Sequence, residues 1–466
     1  MTWTRLRALA PWAAGAFLVA YFFWFAGDAL GTFYTPDDAM NIHRAWIATW
    51  PGMLKAVVCY WSQAYRPAGA ILLRVVFDLG GFRPVVLHVV CFAFLLANLR
   101  LAFVFVRGLT NSVETALLAC LLLCYHARFV DLYYNGGAVY DILCFFFYFL
   151  ALGYYLRIRE SGAFPGWSQG ITLALCYILA LDSKEMAVSL PVVAGLYELL
   201  WHPPKSARWL VREGRAALAG GLLTVPYILG KTAAAPANVL NSELYRPVFT
   251  LARYLDMTVH YADQVFYRVG YFDGAKVAIL FGIMLALALV LRSRAMVFSL
   301  FFVLVTQLPV SFIAQRSAFV VYVPMAGWVL YFAELLARVR SFLFRPPAPA
   351  AASQAALFLG VAYFLYGHHA YQKPWSLPSI TRETVAMRQF LSDFAAVQPS
   401  LPNGAVVLLQ DDRFAADDFT PVSLLRLYFG DKSLVIHRQK PASVRFPPEE
   451  FGFIFIDRDG KVVRVK

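Results

Sequence analysis

Two adjacent carboxylates, Asp37 and Asp38, follow the first long apolar run of the chain. Like charges repel, so at least one carboxylate of such a pair has a raised pKa unless a cation or metal lies nearby. A carboxylate of this kind suits a general base that takes a proton from a hydroxyl at neutral pH. One alternative is structural: the pair caps and charges the first turn of a helix that contains His43 and Trp46. Another is a divalent metal site built from the pair and His43.

A second group of ionisable residues surrounds a later turn between two apolar runs. It consists of His126, Arg128, Asp131 and Asp141, and three tyrosines (Tyr133, Tyr134 and Tyr140) lie among them. Charged groups beside tyrosines make a polar cleft that can stack against and hydrogen-bond a sugar ring. The alternative is an aromatic belt at a membrane surface with a structural ion pair.

A third group, Asp182–Met186, forms a turn of only a few residues and includes Lys184 and Glu185. Its alternative interpretation is a simple pair of loop charges. Scattered cations form a fourth group, and guanidinium and ammonium groups bind phosphate well. The members of this group are Arg66, Lys231, Arg246, Arg253 and Arg316. Each one alone is also explained as a surface or headgroup contact.

The elements that position these groups are apolar. Of the 466 residues 60% are hydrophobic and 15% charged, and the mean hydropathy is +0.60, whereas soluble domains have about 25% charged residues. This composition excludes a soluble enzyme, a disordered protein and a collagen-like fibre. Because the apolar residues form long runs, we predict an α-helical membrane protein with about eleven transmembrane helices. The runs end near residue 25 and then cover about 83–106, 113–125, 137–156, 169–182, 186–201, 216–230, 275–291, 296–313, 319–337 and 352–367.

The distribution of basic residues predicts the direction of these helices. With a cytoplasmic N-terminus, fourteen Lys or Arg residues fall in short cytoplasmic loops or ends and three fall in short loops on the other side. This asymmetry follows the positive-inside rule, so the net charge of +13 reports topology and does not indicate a nucleic-acid partner. An odd number of spans then places the C-terminus outside. Two long outer loops, about 26–82 and 231–274, contain stretches with the spacing of amphipathic helices.

The C-terminal part differs in composition from the rest. Residues 368–466 contain 24 of the 69 charged residues of the chain. The segments 405–409 and 451–456 are apolar and are bounded by turn residues, which predicts strands, and a helical pattern covers 381–397. We therefore expect a transmembrane domain over 1–367 and a small soluble α/β domain over 368–466 on the outer face.

Several of these motifs resemble, in order along the chain, those of polytopic glycosyltransferases of the GT-C type. The resemblance is to relatives of the protein O-mannosyltransferases, and is closest to the tetratricopeptide-containing transmembrane mannosyltransferases and their bacterial relatives. The segments that carry it are Pro36-Asp37-Asp38, Tyr65-Arg66-Pro67, Gly80–Pro84 with His88, Tyr125–Asp131, Asp141, Ser183–Pro191, and Gln315-Arg316 with Tyr322-Val323-Pro324. The chain has no tetratricopeptide repeats, so the acceptor of those families is not carried over.

The resemblance implies a sugar donor linked to polyprenyl phosphate and transfer on the outer face of the membrane. In a single inverting displacement, Asp37 is the expected base and Asp38 its positioning partner or substitute. Cations aimed at the leaving phosphate would be Arg66, Lys231 and Arg316. Residues expected to position the donor or the acceptor are His126, Asp131, Asp141, Lys184 and Glu185. Because cations alone can serve the phosphate, a divalent metal is optional.

A transporter or a flippase for lipid-linked glycans is the competing class. Transporters tend to show inverted repeats and helices broken near the membrane midplane, whereas the polar residues here gather at the outer ends of the spans. The sequence therefore favours chemistry at the membrane surface. We expect a bacterial inner-membrane protein with a polyprenyl-phosphate sugar as donor, a protein, glycan or lipid as acceptor, and no nucleic-acid partner.

Overall fold

The computed structural model describes residues 3–61, 66–234, 243, 245–344, 350–440, 446–458 and 461–466. Most of this chain forms a bundle of helices. They are α1 (Trp3–Ala26), α2 (Pro36–Ile47), α3 (Trp50–Val58), α4 (Pro67–Gly80), α5 (Pro84–Thr110), α6 (Val113–Cys124), α7 (Asp131–Tyr134), α8 (Val139–Glu160), α9 (Trp167–Ser183), α10 (Leu190–Trp201), α11 (Trp209–Arg212), α12 (Arg215–Ala234), α13 (Leu251–Val265), α14 (Gly274–Val290), α15 (Arg294–Thr306), α16 (Tyr322–Leu343) and α17 (Ala350–Ser376).

Each of the eleven predicted apolar runs overlaps one helix of the bundle. Within the described residues, five helical segments are long and apolar enough to cross a membrane: Pro11–Gly31, Pro84–Thr110, Gly136–Glu160, Arg215–Ala234 and Ala318–Leu343. Shorter apolar helical segments are Val113–Cys124, Gly274–Val290 and Arg294–Val310. These segments indicate a helical membrane protein.

The first and last helices of the bundle run parallel. The Phe17 ring packs 5.7 Å from that of Phe358. Near the end of α17, the Lys373 ammonium lies 2.8 Å from a carboxylate oxygen of Asp28, in the 3₁₀ turn that follows α1. Residues later in the first helix and its following turn contact residues later in the last helix, so α1 and α17 point in the same direction. We call the end of the bundle at which both helices finish the Asp37 end.

The opposite end of the bundle is held by charged contacts between helix termini. Arg159 near the end of α8 binds Glu198 near the end of α10, and Glu114 at the start of α6 accepts a hydrogen bond of 3.0 Å from Gln354 at the start of α17. We call this the Glu198 end.

Helices α6 and α10 are short. Each has 12 residues, which at 1.5 Å per residue is a length of ~18 Å, against a hydrocarbon core of ~30 Å. Because α6 begins and α10 finishes at the Glu198 end, both helices stop short of the Asp37 end. Non-helical and 3₁₀ segments continue the chain there, including Ala127–Phe129 and Glu185–Ser189.

The two predicted outer loops are partly helical. Helices α2, α3 and α4 lie in the first and α13 lies in the second. The amphipathic α13 packs against the bundle, because Met257 and Tyr261 are buried and the Tyr254 hydroxyl donates to the carbonyl of Leu304 over 3.0 Å.

The C-terminal part forms a small sheet with two helices. Its elements are α18 (Pro378–Val397), β1 (Val406–Gln410), α19 (Thr420–Phe429), β2 (Val435–Gln439), β3 (Phe453–Arg458) and β4 (Lys461–Arg464). The strand order is β2-β1-β3-β4; β1 pairs with β2 and β3 in parallel, and β3 pairs with β4 antiparallel. The predicted helix over 381–397 and the strands over 405–409 and 451–456 are confirmed by α18, β1 and β3.

This C-terminal unit packs on the Asp37 end. The Tyr428 ring of α19 lies 5.9 Å from that of Phe82, and the Lys432 ammonium lies 4.9 Å from the centroid of Trp46 on α2. Arg388 of α18 donates to the carbonyl of Gly31 over 2.9 Å. The C-terminal unit therefore borders the segment that carries the two adjacent carboxylates.

Candidate functional site

Asp38 caps helix α2. Its Oδ2 accepts a hydrogen bond of 2.8 Å from the backbone N–H of Thr35, whose hydroxyl accepts one of 3.2 Å from the N–H of Asp38. The other oxygen, Oδ1, accepts the N–H of Gly137 over 2.6 Å. Asp38 is fully buried. Burial raises its pKa to about 7 even though the N–H groups of Thr35 and Gly137 lower it, and the neighbouring Asp37 charge adds to the rise.

Asp37 is exposed and has the freer carboxylate of the two. The Nδ2 of Asn135 lies 3.4 Å from Asp37 Oδ2, a long hydrogen bond. Asn135 is fixed in turn, because its Oδ1 accepts the Thr35 hydroxyl over 3.0 Å and the Gly137 N–H over 2.8 Å. A Cβ on Gly137 would lie only 2.9 Å from the Cβ of Asp37, so this turn requires glycine. The turn thus holds Asp37 in place and leaves its oxygens accessible.

Further carboxylates make the surroundings of Asp37 acidic. Burial raises the pKa of Asp131 to about 6; Asn135 lowers it, whereas the charges of Asp37 and Glu383 raise it. Partial burial and the charges of Asp37 and Asp418 likewise raise the pKa of Glu383. Glu383 lies on α18, so the C-terminal unit contributes a charged group to the region around Asp37.

A cluster of alternating charges lies beside this acidic region. The Arg66 guanidinium is 2.9 Å from both carboxylate oxygens of Glu185, and the Lys184 ammonium pairs with Asp141. The Lys184–Asp141 pair is 5% exposed at both side chains, whereas the Glu185 side chain is 40% exposed. Burial alone would raise the pKa of Glu185, but Arg66 and Lys184 outweigh burial and hold it below its usual value.

Tyr140 connects the two groups. Its hydroxyl donates to Asn41 of α2 over 3.3 Å, and its ring lies 5.4 Å from the guanidinium carbon of Arg66. Helix α4 approaches closely, because a Cβ on Gly69 would be only 2.3 Å from the Tyr140 ring. One aromatic side chain thus contacts both the helix that carries Asp37 and the arginine of the charge cluster.

Lys231 belongs to the same cluster. It interacts electrostatically with Asp182 and with Arg66. Asp182 is fully buried, and neither of its carboxylate oxygens has a hydrogen-bond partner among the described residues. The predicted phosphate-binding residues Arg66 and Lys231 therefore lie close to each other, with Lys184 nearby.

Two predicted site residues make their contacts elsewhere. His126 is 4% exposed, stacks at 4.2 Å on Tyr267 and donates from Nε2 to the carbonyl of Val265 over 3.1 Å. Burial lowers the pKa of His126 to about 3, so the ring is a neutral support for the end of α13. Arg316 lies 4.3 Å over the Tyr245 ring and accepts, through its carbonyl, a hydrogen bond from His260.

For metal binding, no cluster of three or more His, Cys, Asp or Glu side chains in the described part of the chain is arranged to hold an ion. Both oxygens of Asp38 already accept a backbone N–H.

Residues that the sequence analysis missed also shape this site. Asn135 and Gly137 belong to an Asn-Gly-Gly turn, and such a turn signal could have identified them. The Thr35-x-x-Asp38 spacing is a capping-box pattern and could have separated the roles of the two carboxylates. Glu383 has no local signal, because only the docking of the C-terminal unit brings it near Asp37.

In comparisons with known proteins, no protein-family model and no curated protein matches the chain.

Proposed function

We propose that the chain is a membrane glycosyltransferase that moves a sugar from a polyprenyl-phosphate donor to an acceptor hydroxyl. The reaction needs a base for the hydroxyl, cations for the leaving phosphate, and a membrane surface that the donor lipid can reach. One observation carries the proposal: an accessible carboxylate, Asp37, and a cluster with three cations are joined through Tyr140 at one end of the bundle.

In this proposal Asp37 is the general base. Its carboxylate takes the proton of the acceptor hydroxyl while that oxygen bonds to the anomeric carbon of the sugar. The bond from that carbon to the phosphate oxygen breaks, and its electron pair leaves on polyprenyl phosphate. A base of this kind contributes about 10²–10⁴-fold to a rate.

Arg66 and Lys231 stabilise the leaving phosphate in this proposal. Preorganised cations contribute most where charge develops in the transition state. Arg66 is bound by Glu185, so the phosphate would compete with that carboxylate for the guanidinium. Lys184 and Asp141 hold the position of the cluster. His126 supports the end of α13 in this proposal. Arg316 remains a predicted phosphate-binding residue; its guanidinium lies over the Tyr245 ring.

We also propose eleven membrane spans, with the N-terminus in the cytoplasm and the C-terminal unit in the periplasm of a bacterium. The parallel course of α1 and α17 supports an odd number of crossings. Placement of the basic loops at the Glu198 end agrees with a cytoplasmic location for that end.

The test is a comparison of glycans, glycopeptides and glycolipids by mass spectrometry in cells with and without the gene. A deletion strain is complemented with the wild type, with Asp37→Asn or with Glu160→Gln, an exposed carboxylate at the Glu198 end. A sugar-bearing product should disappear on deletion and return with the wild type and Glu160→Gln only. Identical products in all strains would exclude the proposed activity, and a product restored by Asp37→Asn would exclude this base.

A further inference from the structure

A groove runs between α8, α9, α10 and α12, away from the site described above. Its volume is about 740 Å³. Small residues open it, including Gly170 and Ala174 on α9 and Ala219 and Gly220 on α12, and the remaining lining is mainly Leu, Ile, Pro and aromatic. Such a lining fits hydrocarbon.

The groove opens at the Glu198 end. The turn before α9 and the start of α12 form its mouth, with Trp167 and Arg215 in the lining. Ten residues farther along α9, Tyr177 also lines it, and the Tyr177 hydroxyl lies 2.6 Å from that of Thr224 on α12. This contact joins the two helices between the groove and Lys231. The groove therefore extends ~15 Å inward from the Glu198 end.

The mouth of the groove is cationic. The exposed Arg215 stacks 4.3 Å over the Phe164 ring, and the guanidinium carbon of Arg212 lies 5.9 Å from the centroid of the same ring. In the described ranges, no carboxylate lies within 4.0 Å of the Arg215 guanidinium. The other two arginines beside this ring are paired: Arg212 lies 3.6 Å from a carboxylate oxygen of Glu213, and Arg159 is neutralised by Glu198. Trp167 is 93% exposed. Tryptophan is enriched at the headgroup level of membranes.

We propose that this groove binds an anionic phospholipid of the leaflet at the Glu198 end. The acyl chain occupies the apolar groove and the phosphate binds Arg215. Guanidinium groups bind phosphate through paired hydrogen bonds. The occupant differs from the proposed sugar donor, because the cations proposed for the donor phosphate lie at the other ends of α9 and α12. This lipid site does not depend on sugar transfer.

The charge of the mouth is tested with delipidated protein in neutral detergent. Phosphatidylglycerol and phosphatidylcholine with the same acyl chains are added, and binding is measured by native mass spectrometry. We expect the wild type to bind phosphatidylglycerol about fivefold more tightly than phosphatidylcholine, because one arginine near an anionic lipid surface contributes about 1 kcal/mol. Arg215→Gln should abolish the preference, and Arg208→Gln, an exposed arginine of the same loop, should keep it. Equal binding of both lipids to the wild type, or an unchanged preference in Arg215→Gln, would overturn the proposal.

The groove itself is tested with a matched pair of glycine variants. A Cβ on Gly170, in the lining, or on Gly221, outside it, meets no atom within 4 Å. Gly170→Leu should lower phosphatidylglycerol binding at least as much as Arg215→Gln, and Gly221→Leu should not change it. Inorganic phosphate should not compete. Full binding of phosphatidylglycerol by Gly170→Leu would overturn the proposal, and so would competition by inorganic phosphate. The proposed occupant would also be wrong if polyprenyl phosphate bound to the wild type and to Gly221→Leu but not to Gly170→Leu.

Discussion

The two ends of the helical bundle use carboxylates in different ways. At the Glu198 end, Glu198 accepts hydrogen bonds from Arg159 and Tyr155, and Glu334 accepts them from Thr115, Ser293 and Arg338. At the Asp37 end, Asp37 has a single long hydrogen bond in the described structure, and Asp182 has none.

This difference separates structural charges from candidate functional ones. A buried carboxylate surrounded by donors fixes helix ends and has no capacity for a ligand. A carboxylate buried without donors is unfavourable unless a ligand or water completes its hydrogen bonds, and an exposed carboxylate is accessible to a substrate. Glu160 is exposed at the Glu198 end as well, so exposure alone does not identify a site. The Asp37 end is distinguished because Asp37 and Asp182, which has no hydrogen-bond donor among the described residues, lie at the end that carries Arg66, Lys184 and Lys231.

The largest effect is expected for Asp37→Asn. Removal of the proposed base should reduce sugar transfer by about 10²–10⁴-fold and leave the melting temperature unchanged, because the side chain is exposed. Initial rates and thermal unfolding of the purified protein in detergent provide the two measurements. Normal activity in Asp37→Asn would contradict the proposal that the carboxylates at the Asp37 end are functional and those at the Glu198 end structural.

Glu198→Gln should show the opposite behaviour. Arg159 and Glu198 are 3% and 1% exposed, and loss of one partner of a buried ion pair costs about 3–5 kcal/mol of stability. Activity per folded molecule should stay at the wild-type level. Denaturant unfolding in detergent measures the loss, and the double variant Arg159→Met/Glu198→Gln should recover part of it. Unchanged stability in Glu198→Gln would contradict a structural role for this pair.

Acid should destabilise the protein through His126. Its pKa in the folded protein is about 3, below the value of about 6.5 in an unfolded chain, so below pH 6.5 the unfolded state binds more protons. Stability is therefore lost as the pH falls from 6.5 towards 3, by about 2 kcal/mol at pH 5. Melting temperatures of the wild type and His126→Gln should converge between pH 7 and pH 5. A constant difference would show that folding does not lower the pKa of His126.

Asp38→Asn should give the smallest effect. An asparagine can accept only one of the two backbone N–H groups that Asp38 binds, and loss of a helix cap costs ~1 kcal/mol. We expect a small fall in melting temperature and residual activity well above that of Asp37→Asn. If Asp38→Asn were instead the inactive variant and Asp37→Asn active, the assignment of base and cap would be reversed.

The sequence predicted much of the helical part, because an apolar run of membrane length needs no tertiary information. Periodicity also located α18, β1 and β3. It did not predict which helix ends meet. Asp141 and Lys184 were assigned to different groups and form one ion pair, and Arg66 binds a residue 119 positions away. Such partners depend on how helices pack, which the pattern of a single helix does not specify.

The roles within the acidic pair show the same limit on a smaller scale. The adjacent carboxylates are compatible with a base, a helix cap or a metal site; in the structure Asp38 caps α2 while Asp37 faces outward. The local capping box with Thr35 fixes Asp38, and the N–H of Gly137, from the turn before α8, adds a contact that the local segment does not supply.

Because α6 and α10 are short, access to the charged cluster depends on the thickness of the surrounding membrane. A helix of ~18 Å covers little more than half of a ~30 Å core, so Glu185–Ser189 continues the chain at a depth where lipid tails would otherwise lie. A lipid headgroup would have to descend to reach Glu185, and the distance grows with the thickness of that leaflet. Membrane composition could thus regulate access to the charged cluster without any ligand or covalent modification.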